Sequence, residues 1–484
     1  MLPFLGFAPD LDPHQEGVIT ACESMVPHPK GFKSAPVPVD TSYAALGAAC
    51  RGAALVQKTD GTNRFFAGTA AALFEGSGGS WTDRTRGGGA YNVGVDYSWQ
   101  FAQFGDVTIA VNDGDTMQYI TAAAADFDDI SGAPKAALVE VLNNFVIVAD
   151  TEDGTYGDQG DRWWCSAKDD YTDWTPALST QCTTGRLVEV PGPILALKRL
   201  GNNIIAYKER GIFIGQYVGS PAVWSFSLIP GDIGVESPDS VVDIGGAHLF
   251  IGKEEIFYFD GTRPVPIGND IKNWFFTNVD ASYVHNIDSL HDRVNSLVYW
   301  FYPSDGSSGA LDSAIIYNYK YKKWGKGSYN VEAAVDVVQG GLTYDDFGST
   351  YTTYDDSPDV PYDGPQFKQG DPVLGIFNDS HKMQTLTGTG TTMTIESHTI
   401  GHDDIYSLVQ RVRPRYNQGP TSATLTNYYK HESEDGFTED FTVNQADGKF
   451  DFLRSAKWHK FKFIFTGECI VSGMSPFIKG GGRE

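Results

Sequence analysis

The sequence predicts an all-β fold: a β-propeller of six to seven blades with a C-terminal antiparallel, β-sandwich-like domain. The main observation is a two-strand unit that recurs at intervals of roughly 40 to 60 residues. Each copy has an apolar anchor, a Gly/Asn turn, a β-rich run, a polar turn and a second strand, and clear copies begin at Phe104, Leu142, Leu200 and Ile244. No copy can bury its apolar face alone, so several must pack side by side, as propeller blades do.

More divergent copies flank these four, one near Arg64, one near Ser296 and one near Leu374. The resulting equivalent strand centres are Phe66, Ala110, Val148, Ala206, Ile251, Phe301 and Phe377. Successive centres lie about 38 to 58 residues apart, close to one blade each, except for a last interval of about 76. We assign the excess to a loop insertion at residues 343–370, where Tyr, Asp, Pro, Gly and Ser dominate.

The chain divides into three parts by composition. Residues 1–40 are rich in proline, and we expect an N-terminal arm outside the blade core that contacts neighbouring subunits or other proteins. Residues 41–400 hold the repeats. Residues 401–484 change to alternating apolar and polar segments, which predict an antiparallel sheet or small sandwich with one solvated face. Helical signal is sparse, and one candidate is Asn269 to Phe276.

Net charge limits the partners of this protein. The formal charge is −25, and the chain lacks clustered Lys and Arg outside its C-terminal region. A protein that grips nucleic acid through phosphates needs such clusters. The acidity fits a solvated surface, which we favour, or a surface that repels DNA so that the duplex slides past. The five cysteines form no CxxC pair, and their odd number favours reduced thiols and assembly in a cytoplasm.

Candidate catalytic or metal-binding groups are few. The carboxylates from Asp150 to Asp161 could surround Ca²⁺, but the spacing departs from the EF-hand, and we favour a solvated loop. His398 and His402 lie in strand-like sequence, which argues against a zinc site. No phosphate-binding loop or nucleophile elbow occurs, and no carboxylate pair stands out for glycoside hydrolysis. We therefore predict neither an enzyme nor a cofactor. No apolar run approaches the ~18 residues of a membrane span.

Basic residues concentrate late in the chain, with an acidic turn around Glu432 between two groups. We expect contacts between subunits here, to an acidic propeller surface, in preference to nucleic-acid binding. The residues predicted to make these contacts are Arg411, Arg413, Arg415, Arg454, Lys457 and Lys460.

Four tryptophans occupy similar places relative to the repeats and are expected to pack between blades, since aromatic residues dominate burial between sheets. They are Trp81, Trp174, Trp224 and Trp324.

The order of several motifs resembles one family, the tail nozzle proteins of short-tailed bacteriophages, also described as packaged-DNA stabilisation or tail tubular proteins. The resemblance covers most of the chain and depends on the order of the motifs, each of which is individually loose. The motifs are the Pro-rich arm, Arg64-Phe-Phe-Ala-Gly-Thr with Trp81-Thr-Asp, Arg162-Trp-Trp-Cys-Ser with Tyr171-Thr-Asp-Trp, Ala314-Ile-Ile-Tyr-Asn-Tyr-Lys-Tyr-Lys-Lys-Trp, and Phe450-Asp-Phe-Leu-Arg-Ser-Ala-Lys-Trp-His-Lys-Phe-Lys.

The resemblance implies a structural protein of the virion tail, assembled in the bacterial host cytoplasm. By this resemblance, copies form a hexameric ring below the portal and its adaptor, alongside a tail spike or fibre and needle or plug proteins. The lumen of the ring retains double-stranded DNA and conducts it without specific binding, and we expect its wall to be acidic. The alternative is a carbohydrate-binding or glycan-degrading β-propeller, although the Ser-x-Asp-x-Gly-x-x-Trp turns of sialidase-like propellers are absent from the sequence.

Overall fold

In a computed structural model of the chain, the structure describes residues 2–338, 372–432 and 434–483. The predicted insertion at residues 343–370 lies outside these described residues. Strands account for nearly all the regular structure, accompanied by one short α-helix, α1 (Lys272–Asn278), and two 3₁₀ helices, Pro238–Ser240 and Val284–Asn286.

Six strands come from the first 40 residues, and five blades follow as separate four-stranded antiparallel sheets. The N-terminal strands are β1 (Leu2–Pro3), β2 (Gly6–Phe7), β3 (Val18–Glu23), β4 (Met25–His28), β5 (Gly31–Ser34) and β6 (Val37–Asp40).

Blade 1 has β7 (Ala53–Gln57), β8 (Asn63–Gly68), β9 (Leu73–Ser77) and β10 (Ser80–Asp83). Blade 2 has β11 (Gln100–Phe104), β12 (Val107–Val111), β13 (Gln118–Ile120) and β14 (Asp128–Asp129). Blade 3 has β15 (Lys135–Leu142), β16 (Phe145–Asp153), β17 (Gly157–Cys165) and β18 (Thr183–Arg186). Blade 4 has β19 (Ala196–Leu200), β20 (Asn203–Lys208), β21 (Gly211–Gly219) and β22 (Val223–Ile229). Blade 5 has β23 (Val242–Asp243), β24 (His248–Ile251), β25 (Ile256–Phe259) and β26 (Val265–Pro266).

Two further four-stranded units complete the ring. The shared blade has β27 (Asp288–Asp292), β28 (Leu297–Pro303), β29 (Leu311–Asn318) and β30 (Lys323–Val331), and it belongs to a larger sheet. The closing blade is the sixth separate four-stranded sheet, with β31 (Ala333–Val338), β32 (Pro372–Phe377), β33 (Met383–Gly388) and the N-terminal strand β6. The first strand of the shared blade contacts the first strands of blade 5 and of the closing blade, and the closing blade contacts blade 1. The predicted propeller is therefore confirmed.

All seven predicted strand centres lie in the second strand of a four-stranded unit, and each is almost completely buried. A second strand is packed on both faces by neighbouring blades, so it appears in the sequence as a continuous apolar run. The turn before it also follows from the sequence. In blade 3, Asn143 and Asn144 connect β15 to β16 with φ angles of 53° and 62°, and asparagine adopts this left-handed conformation more readily than most residues.

The C-terminal residues form strands β34 (Thr392–Ser397), β35 (Ile400–Gly401), β36 (Ile405–Gln418), β37 (Ser422–Lys430), β38 (Thr438–Asn444), β39 (Phe450–Ala456), β40 (Trp458–Thr466) and β41 (Ile470–Arg483). They belong to two sheets. One is ten-stranded, in the order β27-β28-β29-β30-β4-β5-β41-β36-β39 with β1 beside β41. The other is seven-stranded, in the order β2-β3-β34-β40-β37-β38 with β35 beside β40. Apolar side chains of both sheets share one core cluster, which includes Val412, Phe450, Phe463 and Val471.

The prediction for residues 1–40 is wrong in its main point, because this segment is part of the sheets. β6 pairs with β33 and completes the closing blade, while β4 lies between the shared blade and β5 in the ten-stranded sheet. Phe7, Ile19 and Phe32 are among its buried side chains. Pro27 fits in β4 because it pairs with Phe32 of β5, while the ladder from β4 to β30 is limited to the pair of Met25 and Lys326. Proline is tolerated where no ladder hydrogen bond needs its missing N–H group. The predicted boundary near residue 400 also shifts, since β34 already belongs to the seven-stranded sheet.

The predicted helix near Asn269 to Phe276 is confirmed in position as α1. Asp10, from the N-terminal segment, stabilises its first turn: its two carboxylate oxygens accept hydrogen bonds from the backbone N–H groups of Asn273 (2.6 Å) and Trp274 (2.9 Å). A carboxylate at this end of a helix satisfies free backbone donors.

The tryptophan predictions are confirmed by the packing. Trp81, Trp174 and Trp224 each belong to an apolar cluster formed by two adjacent blades, and Trp324 belongs to the core shared by blade 5, the shared blade and the C-terminal sheets. All five cysteines are free and buried. No helix among the described residues combines the length and apolar character that crossing a membrane requires.

Candidate functional site

A large cavity lies on the propeller axis and has a volume of about 1750 Å³. It is lined by residues in or just before the first strand of every blade, from Ala53 in blade 1 to Val335 in the closing blade. Eleven Asp and Glu side chains line it, against four Lys and Arg side chains. The axial channel is therefore strongly acidic.

One carboxylate connects opposite parts of the channel wall. Asp239 lies in the 3₁₀ helix before blade 5, and it accepts hydrogen bonds from Ser98 Oγ (3.0 Å) and Gln100 Nε2 (2.9 Å) of blade 2. The Asp239 backbone carbonyl accepts a further hydrogen bond from Ser289 Oγ of the shared blade. Since blades 2 and 5 are not neighbours in the ring, these bonds bridge the channel. We call Asp239 with Ser98 and Gln100 the axial bridge.

Asp288 lies beside this bridge at the start of the shared blade. Its carboxylate accepts hydrogen bonds from the backbone N–H groups of Ala334 (2.6 Å) and Ser289 (2.7 Å). Burial, together with the charge of Asp239, raises the pKa of Asp288 to about 8. The side chain is only partly exposed to the cavity, and the protein that surrounds it on the channel wall explains the strong effect of burial. Asp288 therefore holds a proton near neutral pH.

A second group of carboxylates lies where blades 2 and 3 meet the channel. Burial, followed by the charges of Asp158 and Asp113, raises the pKa of Asp150 to about 6. Burial and then the charges of Asp150, Asp113, Asp158 and Asp96 also raise the pKa of Tyr97. We call Asp96, Asp113, Asp150 and Asp158, with Tyr97, the acidic mouth. The prediction of a solvated loop at Asp150 to Asp161 is thus wrong for Asp150, because the β16–β17 hairpin directs it towards the channel.

The sequence also offered two metal-site candidates, and neither gains support. Within residues 2–338, 372–432 and 434–483, no three Asp, Glu, His or Cys side chains have positions that could hold a metal ion. His398 is buried and accepts a hydrogen bond from the Gly17 backbone N–H (3.2 Å), while His402 is exposed. The two histidines therefore have different environments.

Three of the residues predicted to make assembly contacts are paired within the chain. Arg454 forms a bidentate ion pair with Asp440 (2.6 and 2.7 Å). Lys457 binds Glu432 (2.8 Å), and Lys460 binds Glu396 (2.6 Å). Carboxylates within the chain already neutralise these three charges. The ion pairs therefore set the side-chain conformations of Arg454, Lys457 and Lys460 before any assembly.

The other three predicted residues lie together on the outer face of β36. Arg413 and Arg415 are exposed, and Arg411 stacks on Phe477 of the neighbouring strand β41 (5.1 Å from guanidinium carbon to ring centroid). Lys479 also lies over this ring (5.9 Å from Nζ to the centroid). We call Arg411, Arg413, Arg415, Phe477 and Lys479 the arginine strip. Among the described residues, no carboxylate forms an ion pair with any of its four cations.

Sequence reasoning missed the axial bridge. Asp239 and Asp288 are isolated in the sequence and lie in no motif. Packing of the shared blade against blade 5 brings them together, and ring closure brings Asp239 to Ser98 and Gln100. The arginine strip was visible, because alternate residues of a strand share one face.

Comparison with known proteins gives little beyond the fold. No family model and no curated protein matches the chain. Similar solved structures include the extracellular domain of a hybrid two-component system from B. thetaiotaomicron, with 10% identity, a TM-score of 0.40, and coverage of 84% of this chain and 47% of that one. This chain thus spans about half of that structure. An exo-β-1,3-galactanase from Phanerochaete chrysosporium has 10% identity, a TM-score of 0.27, and coverage of 81% and 98%. The Pan2 WD40 domain of Neurospora crassa has 8% identity, a TM-score of 0.38, and coverage of 70% and 88%. At these TM-scores the similarities carry no functional argument.

Proposed function

We propose that this protein is a structural subunit of a short bacteriophage tail, forming a hexameric nozzle ring below the portal and adaptor. The ring retains packaged double-stranded DNA and conducts it during ejection. The proposal starts from the order of sequence motifs that resembles the tail nozzle family. In it, the protein works as a rigid wall element and has no catalytic role.

The observation that carries this proposal is the ten-stranded sheet that joins the propeller to the C-terminal strands. The shared blade continues through β4 and β5 into β41 and β36, so no flexible linker separates the two parts. Domains joined only by a linker or a small interface move relative to one another by default. A continuous sheet prevents such motion, which suits a wall that must hold its shape under load.

The propeller channel itself is not the DNA conduit in this proposal. The axial bridge crosses it, and its volume of about 1750 Å³ is that of a small-molecule cavity or somewhat larger. The conduit is the space enclosed by several copies. The formal charge of −25 supports a wall that repels phosphate and so lets the duplex slide.

Imaging and DNA binding together test this function. Negative-stain microscopy of the purified protein with its adaptor should show rings with a central opening, and light scattering should give the mass of six chains. Filter binding at about 50 mM salt should show negligible retention of duplex DNA. Monomers that do not assemble with the adaptor, or tight and salt-sensitive DNA binding, would contradict the proposal.

One observation favours a second candidate, a glycan-degrading propeller. Asp288 is protonated near neutral pH and lies in the same cavity as Asp239, and glycoside hydrolysis uses a carboxylic acid of raised pKa near a second carboxyl group. A screen against a panel of polysaccharides, repeated with Asp288→Asn, tests it. Hydrolysis by the wild type that the variant loses would favour this candidate over the nozzle.

A further inference from the structure

The arginine strip is a surface where this acidic chain collects positive charge, and no carboxylate among the described residues forms an ion pair with its cations. Arg411, Arg413 and Arg415 alternate along β36, opposite Phe477, Ser475 and Gly473 of β41, so their side chains share the outward face of the ten-stranded sheet. The nearby cations Arg454, Lys457 and Lys460 all have carboxylate partners within the chain.

The strip also has an apolar centre. Phe477 is 43% exposed, and Arg411 and Lys479 lie over its ring. Arginine held on an aromatic ring keeps its charge and its hydrogen-bond donors, so it can still form a bidentate contact to a carboxylate. A flat face with an aromatic centre and arginine around it has the composition of a protein interface core.

The acidic mouth has the complementary properties. Asp158 is exposed, Asp96 pairs with His285 (3.2 Å), and Val95 and Tyr97 are 81% and 45% exposed beside them. The nearby Arg51 is hydrogen-bonded to the backbone carbonyls of Gly94 (2.6 Å) and Val93 (3.4 Å). Among the described residues, Arg51 therefore forms no ion pair with Asp96 or Asp158.

We propose that the arginine strip of one copy docks on the acidic mouth of a second copy. The arginines meet Asp96 and Asp158, and Phe477 packs on Val95 and Tyr97. The two surfaces are different patches of the same chain, so the contact is heterologous and repeats from copy to copy, closing a ring where the rotation allows. This inference rests on the proposed ring and names the surfaces that form it.

Charge reversal with rescue tests the contact. Arg413→Glu and Asp158→Arg should each weaken self-association by about tenfold or more, because each places like charges against one another. The double variant should recover the wild-type oligomer, since the exchanged pair again has opposite charges. An equimolar mixture of the two single variants should also recover it, because in alternating order every contact joins opposite charges.

Control variants carry the same charge changes elsewhere. Arg263→Glu and Asp126→Arg alter exposed residues outside both surfaces and should leave the oligomer unchanged. Circular dichroism checks that each variant is folded. The readout is light scattering after size exclusion, with mass photometry at lower concentrations.

A covalent version of the test replaces the charged pair by two cysteines instead of reversing its charges. The double variant Arg413→Cys with Asp158→Cys should form disulfide-linked multimers under mild oxidation, while each single variant should not extend beyond dimers. The five native cysteines are buried and should not interfere.

The outcomes separate this inference from the proposed function. Wild-type oligomers in both single reversals would overturn the contact, and so would a double variant that does not recover the oligomer. In either case a ring formed by the wild-type protein would still support the proposed function. A monomeric wild type that forms no ring with the adaptor would remove both. Duplex DNA binding that Arg413→Glu abolishes would assign the strip to nucleic acid and also overturn the contact.

Discussion

Gln100 of blade 2 donates a hydrogen bond across the propeller channel to Asp239, with 2.9 Å between Nε2 and Oδ1. The two residues are 139 positions apart in the chain and belong to units that are not neighbours in the ring. Asp239 also contributes to the high pKa of Asp288, so one carboxylate both bridges the channel and sets the protonation of a second.

Replacing Asp239 tests the bridge. In Asp239→Ala, Ser98 and Gln100 lose a charged acceptor, and we expect the free energy of unfolding to fall by about 1 to 3 kcal/mol at pH 5. At pH 9 the loss should be smaller. Asp288 is ionised there, and the variant lacks the Asp239 charge that repels ionised Asp288 in the wild type. Urea unfolding at the two pH values measures this. Asp379→Ala, an exposed carboxylate of the same cavity, is the control and should change little at either pH.

The pKa of Asp288 makes stability depend on pH. The folded pKa of about 8 lies above the ordinary value of 3.8, so the folded state keeps a proton that the unfolded state releases. This contribution to stability is complete below pH 4 and is lost as the pH rises towards 8. Relative to Asp288→Asn, the wild type should therefore lose more than about 1 kcal/mol between pH 5 and pH 8.5. A constant difference between the two proteins over this range would refute the protonated Asp288.

The N-terminal segment should be essential for folding. Phe7 is 1% exposed within the common core, and Phe7→Ala should cost about 3 to 5 kcal/mol through lost burial and a new cavity. Leu5 lies two positions away and is 47% exposed, so Leu5→Ala should cost much less and serves as the matched control. Thermal unfolding measures both. Equal midpoints for Phe7→Ala and the wild type would restore the idea of a peripheral arm.

Two arginines of the C-terminal sheets should behave differently. The Asp440 side chain is 4% exposed and depends on Arg454, so Arg454→Ala leaves a buried carboxylate unpaired and should cost about 2 to 4 kcal/mol. Arg413 has no carboxylate partner among the described residues, and Arg413→Ala should change stability by less than about 0.5 kcal/mol. These values apply to the dissociated chain, measured by denaturant unfolding at low protein concentration.

The repeat was predictable because its cause is local. A second strand packed between two blades must be apolar on both faces, and a tight turn before it must contain Gly or Asn. The sequence alone therefore locates Phe66, Ala110, Val148 and the equivalent residues as strand centres. The same holds for the interblade tryptophans and for the alternating arginines of β36. In each case the pattern of nearby residues in the sequence indicates whether a side chain faces the core or the solvent.

Tertiary structure alone decided where non-local strands pair and which isolated charges meet. Strand β6 completes the closing blade through pairing with β33, some 345 residues later, and β4 joins the propeller to the C-terminal sheet. Asp239 meets Gln100 only when the ring closes, and Lys457 meets Glu432 only when β40 and β37 pair. The sequence of one strand shows the period of its apolar residues and therefore which of its faces is buried. Which other strand pairs with its edge depends on the packing of the whole chain.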